Sequence, residues 1–276
     1  MADSSLRTII LHGNHKNLFV LVALIFVLCA LTFSVASGLA ESEAESYTIT
    51  LNDNSIIADF PGIYTEGSIV TITLPGNYIL TGSLSNGQII VDLEQDGKVK
   101  LFFNGVSVHC ENGPALYIKK CSPRLSIDII ADTVNELSDG TVYADESGKV
   151  DAVIYSKGDL TITGEGNLNI TGSYKHGIVS KDDLRIKGGK INVQAVKNGI
   201  CGKDCVEIFD GSIVVRAGND GIKTTNEDSK WGYISIEGGT VKITCGDDPL
   251  SVVHGLSIVG GSVSAEIDAS LKSSDD

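Results

Sequence analysis

From Ala152 onward, apolar and polar residues fall into a pattern that repeats along the chain. Five segments align: AVIYSKGDLTI from Ala152, HGIVSKDDLRI from His176, NGICGKDCVEI from Asn198, DGIKTTN…GYISI from Asp220 and DPLSVVHGLSI from Asp248. Their anchors Ile154, Ile178, Ile200, Ile222 and Leu250 are 24, 22, 22 and 28 residues apart. The last interval is the 22-residue unit enlarged by a six-residue acidic insertion around residues 226–231.

Each unit holds three strand-like stretches. The first surrounds the anchor. The second carries the apolar pairs Leu160/Ile162, Leu184/Ile186, Val206/Ile208, Ile234/Ile236 and Leu256/Ile258, and a glycine-rich turn follows. The third alternates again through Leu168/Ile170, Ile191/Val193, Ile213/Val215 and Val241/Ile243. A period of two buries one face of each strand. A unit this short cannot bury that face alone, so successive units must stack. The pattern predicts an all-β fold, a right-handed parallel β-helix (solenoid) with coils of about 22 residues. Residues 47–140 are less regular but still read as strands (SIVTITL, QIIVDL, KVKLFFNGVSVHC, ALYIKK, RLSIDII), which become the N-terminal coils. No linker marks a second domain, so residues 41–276 are expected to form one. Its last coil edge would be uncapped unless residues 264–276 fold over it.

The first forty residues differ in kind. Arg7, His12, His15 and Lys16 precede an apolar run over residues 18–35, followed by Gly38, Ala40 and an acidic stretch. This is the layout of a signal peptide or of an N-terminal membrane anchor, and it places the remainder in a secreted or cell-surface position. Of six cysteines, Cys29 falls in that segment. Cys110, Cys121, Cys201, Cys205 and Cys245 read as free buried thiols or at most one bridge such as Cys110–Cys121. The formal net charge of −14 disfavours nucleic acid as a partner and favours divalent cations.

Stacking converts sequence columns into ladders spaced by about 4.8 Å. One column ahead of the anchors ends in Asn219 and Asp247, and its neighbour ends in Asp220 and Asp248. Four oxygen ligands on two adjacent coils suit Ca2+, whose opposed ligands lie at a matching separation; the alternative is a solvated acidic corner. Asn226 and Asp228 in the insertion add oxygen donors nearby. A second ladder follows the anchors: Asp182 over Asp204, with Asp159 and Asp183 beside them and Lys157, Lys181 and Lys203 one step earlier. It serves either as a self-neutralising surface or as a place where Lys181 and Lys203 meet sugar carboxylates and hydroxyls, and Asp182 and Asp204 are further candidate metal ligands. Trp231 and Tyr233 are the leading candidates for a sugar-stacking platform, with Tyr155 and Tyr174 behind them.

The run from GSLSNGQIIVD at Gly82 through YSKGDLTITG, HGIVSKDDL, NGICGKD and NDGIK to GYISIEGGTVKITCGDD resembles an exported carbohydrate-binding β-helix family related in fold to pectate lyases. The resemblance covers roughly residues 65–265. It implies a calcium-binding β-helix, secreted or on the cell surface, that binds cellulose-like and pectin-like polymers without established enzymatic activity. GDDPLSVVHGL departs from the family pattern, with Pro249 where a glycine is usual.

These readings make the chain a noncatalytic, calcium-binding polysaccharide-binding module. A calcium-dependent pectate-type lyase, with Lys181 or Lys203 as base, and a purely structural surface protein are the alternatives.

Overall fold

The computed structural model describes residues 45–53, 55–145 and 147–272. The expected export segment, with the apolar run at residues 18–35, lies outside the described residues. Every stretch of three or more alternating residues in the repeats becomes a strand, because each finds an identical partner one coil away. In one sheet the strands Ile69–Ile72, Gln88–Asp92, Leu116–Lys120, Ala152–Ser156, His176–Ser180, Ile200–Gly202, Ile222–Thr224 and Leu250–Ser251 stack in parallel. Val70, Ile89, Leu116, Ile154, Ile178, Ile200, Ile222 and Leu250 lie in one column of this first face. The result is a β-solenoid of about 8 turns with coils of about 24 residues.

The other sheet supplies two further faces. The long strands Asp183–Ala195 and Cys205–Ala217 bend at their middle and contribute to both. On the second face Leu101, Ile127, Ile162, Ile186, Ile208, Ile236 and Ile258 form a column. On the third the column is Val108, Leu137, Ile170, Val193, Val215, Ile243 and Ala265. These columns close around an interior in which nearly every member is fully buried. All five described cysteines are buried and free.

The coil length is less uniform than the repeats suggest. Intervals along the first-face column are 19, 27 and 38 residues before Ile154, then 24, 22, 22 and 28. The 38-residue coil carries a loop at residues 140–151 that folds back onto the outer side of the first face. Tyr143 and Val150 from this loop pack with Ala152, Tyr155, Val179 and Cys201 in a second, smaller apolar cluster. The Tyr143 hydroxyl donates 2.7 Å to the buried Asp139 carboxylate, which also accepts from the Ser173 N–H, so the loop is pinned to the coil below.

At the N-terminal end each sheet finishes in an antiparallel strand, Ser55–Ile57 against Ser46–Asn52 and Ile63–Glu66 against Ile69–Ile72. At the other end the interior pair Leu256 and Ile258 is 48% exposed at each residue. The 3-10 turn Ala269–Leu271 packs along the corner beside Gly218 and Gly246, and does not cover that pair.

The bend between the second and third faces requires glycine. Gly164, Gly189, Gly211, Gly239 and Gly261 all have positive φ there. At Gly164 an added Cβ would lie 2.2 Å from the Ile129 carbonyl oxygen of the adjacent coil. Gly67 has φ of 58° but nothing within 4 Å of an added Cβ. Gly164→Ala is therefore expected to cost roughly 2–4 kcal/mol in urea unfolding, and Gly67→Ala about 1 kcal/mol. Equal losses would show that the close coil contact carries no extra constraint.

Candidate functional site

The corner between the first and second faces is built by a short recurring sequence. From Ala152 to Thr224 the first-face strands end in a small residue, Ser156, Ser180, Gly202 or Thr224, and after the first three the chain turns through Lys and Asp. The Ser180 hydroxyl accepts from the Asp182 N–H at 3.2 Å, which tightens the turn. The turns also stack by their own backbone: Lys181 N–H donates to Ser156, Lys203 N–H to Ser180 and Asp204 N–H to Asp182. The sequence columns at this corner are thus ladders in space.

Carboxylates gather on it. Asp159, Asp182 and Asp183 each place an oxygen within 4.8 Å of the others. Arg185 threads the group, 2.6 Å from Asp183, 2.7 Å from Glu207 and 3.5 Å from Asp159. Tyr233 OH donates to the other oxygen of Glu207 at 3.2 Å. One coil on, the Asn226 side-chain amide donates to Asp204, and Lys203 Nζ lies 3.9 Å from the same carboxylate. None of the ion pairs of the described residues reaches Asp182. Its carboxyl is pushed up to about 6, first by burial and then by Asp204, Asp159 and Asp183. Crowded carboxylate oxygens at this spacing match opposed ligand positions on a hard divalent cation. The donor set fits calcium.

The insertion at residues 226–231 belongs to the same corner. Asn226 N–H donates to Lys203 and Gly232 N–H to Asp204, so the extra residues bulge outward and re-enter in register. Trp231, 37% exposed, sits on that bulge, while Tyr233 is half-buried on the second face. Asp228 is exposed and accepts from the Lys230 N–H at 3.0 Å within the loop.

The columns ahead of the anchors are arranged differently. His176 Nδ1 accepts from the Asn198 N–H, Asn198 Oδ1 from the Asp220 N–H, and Asp220 Oδ1 from the Asp248 N–H, at 3.1, 3.1 and 3.2 Å. Asp220 is buried and its second oxygen accepts from Lys223 Nζ at 2.7 Å. Asp247 is exposed and lies 3.5 Å from Lys272 Nζ. Asn219 stacks on Asp247 through the backbone, the Asp247 N–H donating to the Asn219 carbonyl. Asp220 therefore works as a rung of a side-chain-to-backbone ladder, a use that column spacing alone does not distinguish from ligation.

Two hollows open on the outer side of the first face, separated by the loop at residues 140–151. One, about 310 Å³, has Gln88, Asn112, Tyr117, Lys119, Tyr143 and Asp145 on its walls. The other, about 110 Å³, lies between that loop and the lysine column and includes Lys181 and Lys203. Tyr117 and Tyr155 meet edge to face at 5.8 Å on the sheet between them. Lys181 Nζ stands 5.4 Å from the Tyr155 ring centre. Tyr155, which sequence reasoning marked, is buried beneath that loop; Tyr117 and Tyr143, which line the larger hollow, were missed, and the column Tyr117–Tyr155, shared with the anchor register, was the available signal for the first.

The chain matches the model of a family described as carbohydrate-binding domain-containing protein over residues 66–276. It is 34% identical over 235 residues to a carbohydrate-binding domain-containing protein of Acetivibrio thermocellus, covering 84% of this chain and 82% of that protein. A solved structure, described as the polysaccharide lyase-like protein from C. thermocellum in a gadolinium derivative, shares the fold with a TM-score of 0.72 at 34% identity. That similarity covers 81% of this chain and 96% of the other. With the match spanning the coils that build both the acidic corner and the outer hollows, the chain belongs to the family of carbohydrate-binding domain-containing proteins.

Proposed function

We propose that the protein is a noncatalytic, calcium-dependent polysaccharide-binding module that acts outside the cytoplasm, free or held by residues 18–35. The observation that carries the reading is the packed trio Asp159, Asp182 and Asp183, with Asp182 left without a cationic partner beside the lysines and tyrosines of the first face.

Calcium, held by these carboxylates with Asp204 adjacent, would supply positive charge and open coordination positions to sugar oxygens. The chain's own groups do the rest. Arg185 keeps Asp183 and Glu207 fixed, and Asn226 fixes Asp204. Tyr117 beside the larger hollow and Trp231 at the corner present ring surface for the apolar faces of sugar rings. Lys181 and Lys203 offer donors to hydroxyls or carboxylates of a pectin-like or cellulose-like polymer. A −14 chain meeting an acidic glycan needs such cations between them.

A lyase reading draws support from the description of the solved relative as polysaccharide lyase-like. It needs a base near a uronate α-proton, for which Lys181 and Lys203 are the candidates, since Arg185 is committed to three carboxylates; the description of the matching family names carbohydrate binding and no reaction. Binding without cleavage is the better account.

The full-length protein should be retained on pectate or cellulose affinity gels with calcium and released by a chelator. No retention under either condition would remove the polysaccharide reading. Incubation with pectate should produce no unsaturated uronate absorbance; a rise would install the lyase in its place. The raised Asp182 carboxyl gives a second check. In the folded state it titrates near 6, above the ordinary value of about 3.9, so the folded state binds more protons between those values. That group's contribution to stability falls as pH rises through this window. In chelator, Asp182→Asn should be more stable than the parent above pH 6, with the advantage shrinking towards pH 4. With calcium the order at neutral pH should reverse. An Asp182→Asn variant indifferent to both pH and calcium would detach this corner from ion binding.

A further inference from the structure

The smaller hollow on the first face contains a polar group that the fold does not use. Asp151 ends the loop at residues 140–151 and lines this cavity together with His176, Val179, Lys181, Lys203 and Lys223. Its side chain is only 16% exposed. Oδ1 is buried with no hydrogen-bond partner among the described residues. Oδ2 stands 3.7 Å from His176 Nε2, too far for a full hydrogen bond. His176 is held neutral, its ring pushed down to about 4 by burial and the surrounding lysines. Since Nδ1 accepts from Asn198, the single ring proton sits on Nε2. A largely buried carboxylate normally has its acceptors filled, and here they are not.

Two of the ammoniums around it have partners: Lys223 is paired with Asp220 at 2.7 Å and Lys203 lies 3.9 Å from Asp204. Lys181 and Lys175 act on Asp151 itself. A ligand carboxylate brought here would face the unfilled Asp151 oxygens. A hydroxyl avoids that repulsion: it donates to Asp151 and accepts from an ammonium with no change of charge. At about 110 Å³ the hollow has room for part of a sugar residue, such as its hydroxymethyl arm.

We propose that the hollow bounded by Asp151, Lys181 and Lys223 is a subsite for a hydroxyl-bearing arm of an uncharged sugar, with Asp151 as its acceptor and the determinant that favours neutral over uronate residues at this position. The assignment rests on the polysaccharide-binding reading and specifies one position within it.

The test is calorimetric titration of the full-length protein in calcium with cellohexaose and, separately, with hexagalacturonate. Asp151→Asn keeps the size of the side chain and removes its charge. It should weaken cellohexaose binding by roughly 10- to 100-fold, the worth of a hydrogen bond to a charged group. Hexagalacturonate affinity should be unchanged or raised. Lys181→Gln should weaken cellohexaose binding in the same direction. Urea midpoints no lower than the parent's identify folded variants; if Asp151→Asn fails that check, Lys181→Gln decides. Unchanged cellohexaose affinity in a folded variant overturns the subsite while leaving polysaccharide binding intact. Equal losses for both oligosaccharides overturn the neutral-sugar preference. A parent protein that binds neither overturns the subsite and the polysaccharide reading together.

Discussion

Every feature of this molecule depends on the pairing of each strand with its counterpart one coil away. The hydrogen-bond spacing of about 4.8 Å leaves no freedom to offset one coil against the next, because a one-residue slip would turn the interior side chains outward. Ile154, Ile178, Ile200 and Ile222 stay in one column through coils of 22 and 24 residues, and Leu250 joins them across a coil of 28. Extra residues are absorbed only at corners, where the chain is not held by neighbours on both sides. The loop carrying Tyr143 and the bulge carrying Trp231 are both of this kind.

The same pairing forces like side chains together, and each corner resolves the crowding in its own way. Ahead of the anchors, successive side chains accept from the next coil's backbone N–H, so His176, Asn198 and Asp220 satisfy the stack they belong to. After the anchors, Arg185 spans three carboxylates and Asn226 replaces what would have been a further aspartate above Asp204. Asp182 is where compensation stops. A residue that raises the electrostatic cost of the folded state is understandable where an ion, absent from the chain's own inventory, lowers it again.

Much of the fold was legible because alternation and period reinforce each other. The pairs Leu184/Ile186 and Val206/Ile208 identify both a buried face and the residue it stacks on. The second-face pair Leu256/Ile258 obeys the same pattern yet is half exposed, since burial depends on a following coil and not on the residues themselves. At the site, Asp182 over Asp204 was readable from spacing, whereas Asn226, grouped by sequence with the columns ahead of the anchors, joins this ladder instead. The commitment of Asp220 to Lys223 and to the Asp248 N–H was not, because it depends on which way a side chain turns at a corner. Asp151 heads the column ahead of the anchors, but spacing gave no sign that its side chain lacks partners. Its lack of partners follows from how a loop of irregular length folds back, and no period encodes that.

A stack of this design also has a mechanical character. Tension applied along its axis loads the coils in series, while the bonds between any two coils share that load in parallel. The rod is then only as strong as its sparsest junction. On the first face that junction is the two-residue strand Leu250–Ser251, joined to its neighbour through Ile222 and Lys223 alone, against three paired positions at each of the two junctions before it. Peeling under force should begin at this rung and advance one coil at a time, so the molecule would yield in small steps, dissipating work as it lengthens, and would not rupture at once.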